Sequence, residues 1–192
     1  MPKQLQTEII RSNCSRSLTC KGILCEYLMD EEVVTDPYTK AFTKENKSQV
    51  LIPEYDWEDD RYPAYAYKDV IAYSLHVRGF TQDSYSKVAH RGTFEGVIEK
   101  LPYLKDLGIN QIQCMPVYSF LEGKRKPNYW GYGPGYFFAP KNSYSAIFDG
   151  VRSLKNMVKA CHAAEMEVVL EMPFCPETPI YQVLDCLRYY RQ

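Results

Sequence analysis

Apolar residues fall into two regimes along this chain, and the change comes near residue 70. From Val70 to Val77 they run almost unbroken up to Arg78-Gly79. That is the pattern of a strand buried on both faces, as in parallel sheets. Phe94, Val97, Ile98, Leu101, Leu104 and Leu107 then recur at helical spacing on one face. Thr93 can cap the first part of that segment, through Lys100; Pro102 suits the first turn of the second part, and Gly108 ends it. Ile109–Val117 predicts a second strand. Asp149 starts a helix whose stripe is Val151, Leu154, Val158 and Cys161, and Met166–Met172 predicts a third strand. Pro173, Pro176 and Pro179 precede a last helix, Ile180–Arg191, with Ile180, Val183, Leu184 and Leu187 expected to face inward. Alternation of this kind predicts an α/β fold with parallel strands and right-handed crossovers.

Before residue 70 the pattern weakens. Ile23–Leu28 alternates loosely like a strand, Asp30-Glu31-Glu32 reads as a turn, and Gln49–Ile52 is β-like. Pro53–Asp60 is an acidic connector, expected to be a solvated loop. This third looks like the edge of another module plus a linker rather than a self-sufficient domain. The expected organisation is a module remnant over 1–48, a linker over 49–69, and the α/β part over 70–192.

Between the second strand and the next helix lies Asn128–Pro140, Asn-Tyr-Trp-Gly-Tyr-Gly-Pro-Gly-Tyr-Phe-Phe-Ala-Pro. Its glycines and prolines rule out a regular helix. So much aromatic surface needs a partner. One reading folds the rings back onto the core; the other makes them a platform for a flat, partly apolar ligand such as a sugar. Its position after the second strand puts the stretch at the carboxyl end of the sheet, where α/β folds bind ligands, and that favours the platform.

Composition narrows the field. The 192 residues are 45% hydrophobic, enough to bury one core, and a net charge of -1 gives no electrostatic reason to expect nucleic acid or an anionic membrane. No run of about 18 apolar residues occurs, so no membrane span is expected. Met-Pro-Lys-Gln-Leu-Gln lacks the start of a secretory signal. The 7 cysteines are irregularly spaced without a C-x-x-C pair, which predicts free thiols, no metal site and a reduced, cytoplasmic setting.

With these segments located, the chain resembles the α-amylase superfamily, glycoside hydrolase family 13, in its pullulanase and glycogen-debranching branch. Val33–Tyr38 is similar to the exit from the glucan-binding β-sandwich module of that branch. Val70–Thr81 looks like the first barrel strand, Gly92–Asn110 like the first helix and the entry to the second strand, and Asn128–Pro134 like the loop lining the subsite at the scissile bond. The resemblance implies about the first three βα units of a (β/α)8 TIM barrel. It also implies a retaining hydrolase of α-1,6 or α-1,4 glucosidic bonds, with an α-glucan or maltooligosaccharide as partner and no cofactor. Tyr132 matches the tyrosine that stacks on the sugar, and Tyr129 and Trp130 belong to the same loop, more as its supports. His76 reads as a hydrogen-bonded structural histidine.

The third strand departs from the pattern. Where many members have Asp-x-x-x-Asn-His, this chain has Glu167-Val-Val-Leu-Glu171-Met172. Met172 cannot donate the hydrogen bond of the family histidine. Glu171 can still face the pocket, so the expected substrate-binding set is Tyr132, Trp130, Tyr129, Glu171 and Met172. Glu165 replaces the glycine expected after the second helix, so that turn must be made differently. No counterpart of the family's catalytic acids is present, because they follow the fourth, fifth and seventh strands. Two acids must flank the bond, so the chain alone is expected to be inactive, with an uncovered barrel edge open to association. The competing expectation is a non-catalytic α-glucan-binding or interaction protein built on the same fold.

Overall fold

The computed structural model describes residues 24–25, 27–29, 32–51, 54–123 and 128–191. Readings of residues 1–23 and of Ile52-Pro53 lie outside them. Two antiparallel pairs come first: β1 (Leu24–Cys25) with β4 (Ser48–Gln49), and β2 (Tyr27–Met29) with β3 (Glu32–Val34). β5 (Ala72–Leu75) follows, then the short helix α1 (Val77–Thr81), α2 (Phe94–Glu99) and α3 (Leu101–Asp106). β6 (Gln111–Cys114) leads to a hairpin of β7 (Tyr118–Phe120) and β8 (Gly135–Pro140). α4 (Gly150–Ala163), β9 (Glu167–Leu170) and α5 (Ile180–Arg191) complete the chain.

β5, β6 and β9 form one parallel sheet in that order, the predicted three-strand arrangement. Register fixes its faces. Tyr73, Leu75, Ile112, Cys114, Val168 and Leu170 share one face, and α2, α3 and α4 cover it with Phe94, Val97, Leu104, Leu154, Met157 and Cys161. The opposite face carries Ala72, Ser74, Gln111, Gln113, Glu167 and Val169. The first strand is therefore buried on one face only: Ala72 and Ser74 are exposed, because no second layer covers them among the described residues.

Helix starts were legible. Thr93 accepts a hydrogen bond from Gly96 N, and Asp149 accepts one from Arg152 N. Helix faces were less so. Leu107 is exposed, and α5 buries Gln182 and Cys186, whereas Ile180, Leu184 and Leu187 stand 71%, 45% and 52% exposed. This helix packs on β8 and on Tyr38 instead of on the sheet: Tyr190 Oη donates to Phe137 O at 3.0 Å and Tyr38 Oη to Asp185 at 3.2 Å. Its most apolar stripe has no cover among the described residues.

Two turns also differ from expectation. Glu165 keeps the left-handed conformation, φ +60°, that a glycine would supply. Tyr65 Oη donates to its carbonyl at 2.9 Å, and Lys105 pairs with its carboxylate at 3.0 Å. The acidic connector is strapped to α4 through part of its length, while Glu54, Asp56, Glu58 and Asp59 remain exposed as expected of a solvated loop. His162 Nδ1 meets Asp60 at 2.7 Å with both side chains largely buried, Lys159 meets Glu58 at 2.7 Å, and Tyr55 Oη donates to Asn156 at 2.8 Å. His162 and Lys159 on that helix give two of those acids partners that composition alone could not reveal.

Candidate functional site: the aromatic loop over the sheet end

The aromatic stretch splits in two. Gly135–Pro140 is strand β8, and Phe137 and Phe138 are buried in the core. Residues 128–134 form a loop on which Trp130 and Tyr132 are 52% and 48% exposed. The reading that folds the rings back onto the core holds for the strand half, and the other half leaves Trp130 and Tyr132 open to solvent. β8 is buried on both faces, so Phe137 packs against Tyr118 and Phe174 and Phe138 against Tyr38 and Tyr189, whereas the glycine-rich turn leaves Trp130 and Tyr132 exposed.

Local geometry explains the turn. Gly131 and Gly133 have φ of +85° and +130°, regions that side chains rarely enter. A β-carbon on Gly131 would sit 2.5 Å from the Phe120 ring. Asn128 folds back over the turn, accepting from Gly131 N at 3.0 Å and donating to Tyr132 O at 3.2 Å. From below, the buried Tyr118 hydroxyl donates to the carbonyls of Gly131 and Gly133, at 2.8 and 2.9 Å. Burial pushes the Tyr118 phenol well above its ordinary range, so it stays a donor.

Tyr132 reaches from this loop to the carboxyl end of β9. Its hydroxyl donates to Glu171 Oε2 at 2.6 Å, and Gln113 Nε2 from the end of β6 donates to Glu171 Oε1 at 3.0 Å. The bond to Glu171 raises the Tyr132 pKa. Glu171 N donates to Cys114 O at 2.9 Å, extending the parallel ladder to the site. Met172, next in sequence, packs against the hydrophobic core.

Tyr129 and Trp130 meet His76. The Tyr129 ring stacks on the imidazole at 4.5 Å, and Trp130 meets it edge-on at 5.6 Å. His76 ends β5 and caps α1: Gly79 N donates to its Nδ1 at 2.9 Å. The ring proton therefore sits on Nε2, which donates to Tyr129 O at 3.0 Å and lies 3.0 Å from the Tyr144 hydroxyl. Every polar atom of the ring is engaged, as a structural role requires. Burial pushes its pKa down, with Arg78 and Lys141 adding to the effect. Its folded pKa thus lies below the ordinary value of about 6.5. Above that pH both folded and unfolded chains are neutral here; below it the unfolded chain takes a proton that the folded one declines. Stability is present above about pH 6.5 and is lost on acidification, with a limiting slope of about 1.4 kcal/mol per pH unit. A fall in urea midpoint between pH 7.5 and 5.5 is expected, and His76→Asn, which keeps a cap, should make it shallower.

The hairpin base holds a charge cluster that sequence reading missed. Glu122 accepts from Arg78 at 2.9 Å and lies 3.3 Å from Lys141 Nζ. Lys141 is buried, donates to Phe120 O at 3.0 Å and sits 3.6 Å over the Phe120 ring. The hydrogen bond from Arg78 lowers the Glu122 pKa. Sequence reading also missed Tyr118 and Gln113, whose partners lie across the fold, so that no local signal marks them.

The site offers stacking surface and hydrogen-bond acceptors. No cluster of three or more His, Cys, Asp or Glu side chains suited to a metal occurs among the described residues. Two carboxylates lie on the polar sheet face, Glu167 and Glu171. Four residues apart on one strand, their backbones are separated by about 13 Å. Glu167 lies at the opposite, amino end, accepting from Tyr65 N and Gln111 Nε2, each at 2.8 Å.

Comparison with known proteins agrees with this geometry. The chain is 34% identical to chloroplastic isoamylase 1 of Arabidopsis thaliana, over 76% of its own length and 23% of that protein's. It is 32% identical to a glycogen operon protein GlgX homolog of Haemophilus influenzae, covering 78% of this chain and 28% of the relative. Among solved structures, apo pullulanase from Paenibacillus barengoltzii superposes with a TM-score of 0.65 at 25% identity, over 77% of this chain and 27% of that one. Pullulanase type I of Bacillus subtilis, solved with maltose, gives 0.60 at 26% identity, over 82% and 26%. The chain spans about a quarter of the length of these relatives. The structural neighbours are barrels of amylase type, and the relatives are isoamylases, glycogen operon proteins and pullulanases. Residues 36–174 match the alpha-amylase catalytic domain, and the chain belongs to that family of glycoside hydrolases.

Proposed function

We propose that this chain is the sugar-gripping part of a debranching-type α-glucan hydrolase, the first three βα units of its (β/α)8 barrel, and that by itself it does not cut α-glucan. The single observation that carries the reading is Tyr132: a half-exposed ring held over the carboxyl end of the sheet while its neighbours Phe137 and Phe138 are buried. A ring so placed can cover the apolar face of a pyranose. Retaining chemistry needs carboxyl groups about 5–5.5 Å apart and inverting chemistry about 6.5–9.5 Å; the backbones of Glu167 and Glu171 are about 13 Å apart, and their carboxylates are turned to separate partners, Tyr65 and Gln111 for one and Gln113 and Tyr132 for the other. Trp130 extends the platform, and Tyr129 supports it through His76.

The edges of β5 and β9, unpaired among the described residues, and the Ile180, Leu184, Leu187 stripe support association with further polypeptide. In a full barrel these surfaces would be covered. The second reading, a stand-alone glucan-binding protein, draws on the same Tyr132 geometry and differs in what the isolated chain does. Titration of maltohexaose against intrinsic fluorescence, with a pullulan turnover assay, separates them. Tyr132→Ala is expected to weaken binding about tenfold or more, on the scale of a ring stacked in a binding site. Tyr132-dependent binding without turnover favours the stand-alone protein; no measurable binding favours a part that works only in a longer barrel. Turnover by the pure chain would overturn the non-cutting reading.

A further inference from the structure

Glu171 stands where the family pattern has asparagine, and the structure gives its carboxylate two donors. Tyr132 Oη donates to one oxygen at 2.6 Å and Gln113 Nε2 to the other at 3.0 Å. The backbone of Glu171 is fixed by the bond from its N–H to Cys114 O. Tyr132, by contrast, rides on a turn flanked by Gly131 and Gly133, both at positive φ, and its ring is half exposed. A side chain so mounted would sample several rotamers if its tip were free. Its carbonyl is held by Asn128, and the adjoining carbonyls of Gly131 and Gly133 by Tyr118, but these contacts fix the backbone and leave the ring direction open. Among the described residues, the bond to Glu171 is what fixes the far end of the ring.

We propose that Glu171, braced by Gln113, is a positioning residue for Tyr132, setting the ring's tilt before ligand arrives. This inference rests on the glucan-binding reading for its functional meaning, and on geometry alone for its structural part. A charge-assisted hydrogen bond from phenol to carboxylate is among the stronger ones a side chain makes. Fixing the rotamer in advance removes an ordering cost that binding would otherwise meet. It also changes what the site offers. Where the family pattern has a histidine that donates to a sugar hydroxyl, this chain has Met172, and the neighbouring Glu171 carboxylate offers acceptors only, each oxygen already serving a protein donor. Glu171 thus acts on sugar through Tyr132.

The test uses the full 192-residue chain and maltohexaose, with Tyr132→Phe, Glu171→Ala, Glu171→Gln and the Tyr132→Phe/Glu171→Ala pair. Tyr132→Phe keeps the ring and removes only its anchor. Each of Tyr132→Phe and Glu171→Ala is expected to weaken binding about 3- to 10-fold, and the double variant no further than either single one. Glu171→Gln retains an oxygen to accept from the phenol, so it should recover most of the affinity. Independent of ligand, fluorotyrosine labelling gives a resonance for Tyr132, identified by its absence in Tyr132→Phe. Glu171→Ala should move that resonance towards the free amino acid, and Glu171→Gln should move it less. An unmoved resonance in Glu171→Ala, or losses that add in the double variant, would overturn the proposal. If no variant alters maltohexaose binding while the resonance still moves, the positioning contact stands and the glucan-binding reading falls.

Discussion

Gly131→Ala is expected to destabilise the chain by roughly 2–5 kcal/mol and to abolish Tyr132-dependent glucan binding. Two costs meet at this position. The backbone is at φ +85°, which charges a β-carbon about 1–2 kcal/mol. The same carbon would lie 2.5 Å from Phe120 Cε1 and 2.9 Å from Pro116 Cβ, and overpacking of that kind costs about 1–3 kcal/mol. Neither neighbour is the loose end of a flexible side chain. The chain can escape by lifting the loop, but that breaks the Tyr118 and Asn128 hydrogen bonds, at about 0.5–1.5 kcal/mol each. The two routes cost about the same, so the destabilisation is similar whichever is taken, and both displace Tyr132. At Gly133 the space is open, with only Asn128 Nδ2 as near as 4.0 Å. Gly133→Ala should therefore cost only backbone strain, on the order of 1–3 kcal/mol. Urea midpoints and maltohexaose titrations of the two variants check this ordering; a Gly131→Ala protein that binds like wild type would show that the turn does not position the ring.

Tyr118 should separate stability from loop placement. Tyr118→Ala removes a fully buried ring that packs against Phe137 at 4.8 Å and Phe120 at 6.1 Å between ring centres. A loss of about 3–5 kcal/mol is expected, enough to leave a marginal domain largely unfolded. Tyr118→Phe keeps the packing and removes one proton shared between two carbonyls. Because a phenol has a single proton, the cost is about 1–2 kcal/mol and does not double with the second contact. Its effect falls on the loop, since those carbonyls flank Tyr132 on both sides. Affinity should therefore drop severalfold in Tyr118→Phe at nearly native stability, read by titration beside a denaturation curve. Equal losses of stability and no loss of affinity would place the importance of Tyr118 in the core alone.

What sequence could and could not reveal follows from the range of the interactions involved. Thr93 and Asp149 were legible as helix caps because each bonds an N–H three residues away. The parallel order of β5, β6 and β9 was legible because alternation with helices leaves few topologies. Residue matches in the sequence place the chain among α-amylase relatives, and the match over 36–174 agrees. The direction of α5 was not legible. Its spacing predicted Ile180, Leu184 and Leu187 inward, yet the helix packs through Gln182, Cys186 and Tyr190. An amphipathic pattern states that a face wants cover, and only the tertiary arrangement states whether cover is there.

The amino-acid order alone determined an α/β fold of parallel strands, the family, and a glycine-hinged aromatic stretch at the carboxyl end of the sheet. Only the tertiary structure decided which of those rings turn outward and what holds them: Phe137 and Phe138 sink into the core, while Tyr132 stands in the open between Tyr118 below and Glu171 beside it. The physical reason is distance along the chain. Tyr132 and Glu171 are 39 residues apart, and a hydrogen bond between them exists only once the loop and the third strand have been brought together by the packing of everything between.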